Sequence, residues 1–367
     1  LQPNDKHALA FPKEVSDYLA GFAARYRTAD ILQYLESAQA LKILVVGEAI
    51  IDEYQYCEAI GKSSKEPTLV VKANSTEKFA GGILAVANHV ADFCEHVGMI
   101  TFLGTENPQE AFIKEKLDSR IERFFLYKKD SPTIVKRRFV DSYFFTKLLE
   151  VYEINDEPLD KADNEQLCAV LRDQLPGYDV MIVVDFGHGM LSQEAIDILC
   201  SQARFLALNV QANAGNLGYH TVSTYPRADY VSVAENEIRL EARDRRGDLR
   251  PMVIDISQRL GCGRLAVTRG KYGCLCYSEA EGFFEIPAFA DQVVDRMGAG
   301  DAFLSLTALC MVQQAPMEVV GFIGNAVGAQ AVATVGHRTP IERVALFNRI
   351  ESLFKWTCHD FEKGTAT

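Results

Sequence analysis

The chain has 367 residues, 48% of them apolar and 24% charged, with a formal net charge of -12. That is enough apolar material for a large core and leaves intrinsic disorder out, while the acidic balance works against non-specific nucleic-acid binding, which depends on lysines and arginines displacing counterions. No apolar run reaches the length of a membrane helix and the first residues lack the blocks of a secretory signal, so the expected setting is the cytoplasm, with small-molecule partners and neither membrane nor nucleic acid.

Nine cysteines, odd in number and set mostly in apolar runs, read as reduced and buried thiols. Residues 1–40 carry helical spacing in Val15, Tyr18, Leu19 and Phe22, then in Ile31, Leu32, Tyr34 and Leu35, and are expected to form a helical N-terminal extension. Because residue 1 is leucine, the chain is also expected to be part of something longer, with a fused or associated catalytic domain. From Leu41 short β-branched runs alternate with amphipathic stretches: LKILVVG, a helix from about Gly82 to His96, MITFLG, and another helix. The rhythm returns after residue 178 in DVMIVVDFG, RFLALNV, ADYVSV and RLAVTRG, and the C-terminal third turns helical after Gly298. A three-layer α/β fold with a mainly parallel central sheet follows, spanning residues 41–355, with a tail over 356–367. Alternating runs within residues 54–79 and 121–154 lack intervening helices and predict a small antiparallel β lid.

The segment VVDRMGAGDAFLSLTAL at 293–309 runs a short apolar strand into Gly298-Ala299-Gly300, after which Asp301 opens an apolar helix. Free amides and the helix dipole at such a terminus make a cradle for an anion, and Asp301 stands where it can accept a proton from an attacking hydroxyl. From local physics alone a plain helix cap and glycine turn fit equally well. Upstream, Thr268 ends a strand before Gly270 and Gly273, Gly81 and Gly82 precede a helix, and Asp52 follows the first strand of the main domain, where side chains tend to project toward a ligand crevice.

Together these blocks resemble the ribokinase-like (PfkB-type) carbohydrate kinases, whose D-T-x-G-A-G-D signature is matched by Asp295, Gly298, Ala299, Gly300 and Asp301. The order GEAIIDEY, KEPTLVVK, FAGG, PTIVKRR, VVDFGHGML, VTRGKYG is similar to that of heptose-phosphate kinases. The resemblance implies ATP-dependent phosphorylation of a sugar or sugar-phosphate hydroxyl, with Asp301 as base and Gly298, Ala299 and Gly300 as anion hole. It assigns Thr268, Gly270, Gly273 and Asn325 to ATP, Glu237 to Mg2+ and its water, and Asp52, Gly81, Gly82, Lys136, Arg138 and Asp185 to the sugar. A monovalent cation and a homodimer formed through the lid belong to the same expectation.

The chain departs from the family pattern at Ala85 and Ala234, where asparagines are usual, at Glu48, at Asn209 and Gln211, and at Arg296 and Met297. Those replacements fit an altered sugar, or a kinase-like binding or regulatory module that does not turn over. Gly61-Lys62-Ser63 is no P-loop, since Tyr56 stands where the first glycine must be, and VVGEAIID offers only Gly47 toward a dinucleotide fingerprint. The sequon Asn74-Ser75-Thr76 is read as chance.

Overall fold

The computed structural model describes residues 11–364; the first ten positions of the expected extension and the last three of the expected tail lie outside the described residues. Two amphipathic helices, α1 (Lys13–Ala23) and α2 (Thr28–Ser37), lead into strand β1 (Lys42–Gly47). Two strands of 14 residues follow, β2 (Ala49–Lys62) and β3 (Leu69–Gly82), then α3 (Ile83–Ala91), β4 (His96–Glu106), α4 (Glu110–Lys116), β5 (Glu122–Pro132), β6 (Ile134–Asp141) and β7 (Lys147–Glu153). The βα rhythm then resumes through α5 (Lys161–Gln174), β8 (Val180–Asp185), α6 (Gln193–Gln202), β9 (Leu206–Val210), β10 (Tyr230–Ala234), α7 (Glu235–Glu241), α8 (Leu249–Leu260) and β11 (Arg264–Thr268). The chain closes with the hairpin β12 (Cys274–Ser278) and β13 (Gly282–Ile286) and helices α9 (Ala299–Val312), α10 (Met317–Ala331) and α11 (Arg343–Gly364).

Nine strands form one sheet in the order β13-β12-β11-β10-β9-β8-β1-β4-β5, parallel from β11 through β5 and antiparallel at the β11–β12 and β12–β13 pairs. Period-two alternation sorts its residues between two cores. In β1, Ile43 and Val45 join the core shared with α1, α2, α3, α9, α10 and α11, while Leu44 and Val46 join the one under α5, α6 and α8. This is the expected three-layer arrangement. Helix α9 is apolar on every side and buried along nearly its whole length, as a central helix must be. It packs close to α10 because Gly324 has no Cβ to strike the Phe303 ring.

The smaller sheet has the order β3-β2-β6-β7, with β2 and β6 parallel and the other pairs antiparallel. Strand β5 lies within the segment expected to be lid but pairs in parallel with β4 in the large sheet, where Leu126 is buried in the core. Phe125 packs against one core and Phe124 and Leu126 against the other, so this part of the strand is covered on both faces. Helix α11 continues through Gly364, so residues 356–364, expected as tail, are helical. Among the described residues, no helix is long and apolar enough to cross a membrane.

Candidate active site

Parallel strands β1, β8, β9, β10 and β11 all end on one edge of the large sheet, and the polar side chains that follow them are gathered there. Helix α9 begins over this edge. Gly298 holds the N-cap position at φ 73°, a left-handed conformation that favours glycine, and its Cβ direction is filled by the His337 ring. Asp301 is in the first turn, only 7% exposed, and its Oδ1 accepts a 2.7 Å hydrogen bond from Gln211 Nε2. Burial raises its carboxyl above the ordinary range; the His337 and Lys136 charges and the Gln211 bond offset this in part, and Asp52 adds to it.

Asp52, on β2, accepts from Arg138 Nη1 on β6 and lies 3.6 Å from His337 Nε2. Gly81 lies on the neighbouring strand β3, opposite Ile50, and a Cβ there would collide with the Asp52 carboxylate. Gly82, at φ 57°, likewise leaves room for the Glu48 carbonyl. The glycine pair therefore makes space for the chain's own Asp52 and Glu48. Arg138 also donates to Glu150 Oε1 at 3.0 Å. Lys136, two residues earlier, is 7% exposed; its Nζ lies 5.2 Å from the Tyr152 ring and 5.5 Å from the Phe186 ring. Burial lowers its ammonium's pKa, opposed by Asp52, Glu48 and Asp301.

Asp185 ends β8 at 2% exposure. Its Oδ2 accepts from Tyr225 Oη at 2.7 Å and its Oδ1 from the Gly187 amide at 2.9 Å, while His220 Nε2 lies 2.9 Å from Oδ1. Beside it, the buried Glu48 accepts from the amides of Phe186 and His188 at 3.1 and 3.0 Å. Burial and the Asp185 charge push Glu48 up to about 7. His188 is held down to about 4 by burial and by the Lys136 charge, so it is neutral at pH 7, with a buried Nε2 that has no partner among the described residues.

Along the same edge, Ala234 N-caps α7 without a side-chain acceptor, and only the return half of a capping box forms: Glu237 Oε2 accepts from the Ala234 amide at 2.7 Å. Glu237 Oε1 accepts from the Ala212 amide at 3.1 Å, and burial raises the carboxyl to about 7. Thr268 pairs in register with Ala234. After it, Gly270 at φ 56° faces open space, whereas Gly273 at φ 80° packs against the backbone of Pro287 and Ala288. Asn325, expected at the nucleotide, instead donates to the carbonyls of Ile286 and Pro287 at 3.0 and 3.1 Å, so its amide secures the end of β13.

The fold thus brings Asp52, Arg138, Lys136, Asp301 and the glycine loop together at one place and Glu237, Thr268 and Gly270 along the neighbouring edge. Gln211, His337, Glu48 and His188 join them without having been expected as site residues. His337 had a weak signal in the tripeptide Gly336-His337-Arg338 after α10, and Gln211 in its departure from the family pattern.

The sequence matches the pfkB family carbohydrate kinases over residues 40–343. The chain belongs to that family. Among curated relatives it is 27% identical over 312 residues to the bifunctional protein HldE of Koribacter versatilis, covering 84% of this chain and 63% of that one. The HldE of Bradyrhizobium diazoefficiens is 25% identical over 314 residues, with 83% and 63% covered. The chain thus spans less than two-thirds of the length of these relatives. Solved structures with the same fold include Escherichia coli phosphofructokinase-2 in complex with potassium (TM-score 0.66, 17% identity, 87% of this chain and 99% of that one). Arabidopsis thaliana ribokinase complexed with ribose and ATP is another (TM-score 0.62, 15% identity, 85% and 99%).

Proposed function

We propose that this chain transfers the γ-phosphoryl group of ATP to a hydroxyl of a sugar or sugar phosphate, with Asp301 as the general base. The observation that carries this reading is the Asp301 carboxylate itself: buried under a glycine loop at a helix N-terminus, hydrogen-bonded to a neutral amide, and in no ion pair among the described residues. Asp301 takes the proton of the attacking hydroxyl, and the amides of Gly298, Ala299 and Gly300 face the charge developing on the phosphoryl oxygens. Its raised pKa makes it a stronger base than an exposed aspartate. Asp52, oriented by Arg138, is placed to hold sugar hydroxyls, and Lys136 presents a positive charge to the same space.

Thr268 and the Gly270 turn line the edge suited to the nucleotide. Magnesium bound with the nucleotide would neutralise phosphate charge. No cluster of three His, Cys, Asp or Glu side chains among the described residues would hold it directly, so Glu237 fits as a carboxylate reaching it through water, the ion being carried mainly by phosphates. The apolar side chains Ile60, Leu69, Leu149 and Val151, 44–61% exposed on the small sheet, support a homodimer through it. The length of the HldE relatives supports a further catalytic domain joined to or associated with this one. The buried free thiols suit a reducing cytoplasm.

A regulatory module without turnover is the second reading, favoured by Gln211 occupying Asp301 and by Ala85 and Ala234 lacking polar groups. ADP release with Mg-ATP across free and phosphorylated hexoses, heptoses, pentoses and nucleosides separates the two. Sugar-dependent release that Asp301→Asn abolishes supports the kinase; nucleotide binding without release by any sugar supports the module.

A further inference from the structure

Asp295, six residues before Asp301, is 4% exposed and meets four donors. Its Oδ1 accepts from Lys147 Nζ at 2.8 Å and from the Met297 amide at 3.2 Å; its Oδ2 accepts from Tyr54 Oη at 2.6 Å and from the Gly336 amide at 3.0 Å. The two amides belong to the two backbone segments that frame Gly298, the second carrying the His337 ring that packs on it. The two side chains come from the small sheet, Tyr54 from β2 and Lys147 from β7. One carboxylate therefore joins the anion-hole loop, its neighbouring turn and the small sheet.

That junction needs an ionised carboxylate, because a protonated one would turn a hydrogen toward one of its donors. An ionised carboxylate this deeply buried needs a counter-charge. Lys147 is the one cation hydrogen-bonded to it among the described residues, and its Nζ also lies 5.4 Å from the Tyr54 ring. A dissolved alkali cation would require oxygen acceptors around it. The partners of Asp295 are two N–H groups, a hydroxyl whose hydrogen points at the carboxylate, and an ammonium, a set that repels a further cation. The monovalent cation expected from the family resemblance does not fit at this carboxylate.

We propose that the Lys147 ammonium is a built-in monovalent cation for Asp295, which makes the shape of the anion-hole loop independent of dissolved alkali ions and dependent on docking of the small sheet. Lys147 is thereby a positioning residue acting through Asp295. The kinetic part of this inference rests on the proposed kinase function; the thermal part does not.

The test compares wild type, Lys147→Met and Lys147→Arg in potassium, sodium, ammonium and tetramethylammonium chloride at equal ionic strength. Melting temperature and, with an active sugar, kcat and KM are measured. Wild type should be indifferent to the cation in both readouts. Lys147→Met should melt lower and lose roughly tenfold or more in kcat, the scale of losing a partly buried charge partner, and potassium or ammonium but not tetramethylammonium should restore part of both. Lys147→Arg should remain near wild type and insensitive. A wild-type protein stabilised or activated by potassium over tetramethylammonium would overturn the proposal, as would a Lys147→Met variant that is unimpaired or impaired without cation preference. If Lys147→Met does not fold, the wild-type and Lys147→Arg arms decide. Absence of turnover by wild type with every sugar would count against the kinase reading and leave the melting comparison to judge Lys147.

Discussion

Asp295 and Asp301 bracket one glycine loop and are buried almost equally, at 4% and 7% exposure, yet their surroundings give them opposite character. Burial pushes both carboxyls up. For Asp295 the hydrogen bonds from Lys147 and Tyr54, together with the Lys147 charge, more than reverse that push and hold it below the ordinary aspartate value. Asp301 has a single neutral side-chain donor, Gln211, and burial prevails. Alongside burial, the number and charge of the donors help decide whether a carboxylate is a fixed anion that shapes backbone or an available proton acceptor.

The largest expected effect is on Asp301. Replacing it with asparagine should lower kcat by about 10²–10⁴-fold while nucleotide affinity stays near wild type in calorimetry; near-normal turnover would dissolve the contrast. The same variant should melt no lower than wild type at neutral pH. A carboxyl with a raised folded value contributes stability that is present at low pH and lost as pH rises through that value, so at neutrality asparagine relieves a burden.

Asp295→Asn should behave in the opposite way, losing about 2–4 kcal/mol in urea unfolding because the Lys147 ammonium is left partly buried and unpaired. Its stabilising contribution is present above the ordinary carboxylate value and is lost as pH falls through its lowered one, so the gap between wild type and variant should narrow in acid. Equal stability of the two proteins at neutral pH would mean that Asp295 is not a structural anion. Tyr54→Phe removes one of the four donors and should cost about 1–2 kcal/mol in the same assay.

The smallest effect is a displacement in pH rather than a loss. As the proposed base Asp301 would work only when ionised, so kcat should fall as pH drops through a value above the ordinary aspartate range. Gln211→Leu removes a hydrogen bond that favours the ionised form and should move this acid limb higher still, as read from pH–rate profiles; a limb that stays in place would show that Gln211 does not touch the base during turnover.

The large sheet was legible because its strands carry long apolar runs and its connections alternate with helices, and the glycine loop was legible because Gly298, Ala299, Gly300 and Asp301 are contiguous. What escaped notice depends on contacts between distant segments. Lys147 meets Asp295 across 148 positions, and nothing in TKLLEVY marks that lysine until β7 pairs with β6. Gln211 reaches Asp301, and His337 reaches Gly298, from loops whose course is set by tertiary packing. Gly81 looked like a place for a ligand to approach, but the space it leaves is taken by Asp52. Asn325 looked like a nucleotide contact, but two backbone carbonyls use its amide. Strand β5 looked like lid because alternation along the chain says nothing about which sheet a strand joins.

The family match begins at residue 40, whereas the helices before it supply part of the same core. The Phe22 ring stacks on Phe322 of α10 at 4.2 Å and 9°, and Val15, Leu19, Ile31 and Leu35 are buried with it. Five such side chains are worth about 1.5–3 kcal/mol each, a sum comparable to the whole margin of about 5–15 kcal/mol that keeps a domain folded. The ancestry of the fold and its unit of cooperative unfolding therefore have different borders, and a polypeptide cut at the ancestral border would present the bare face of α10 to water and invite aggregation.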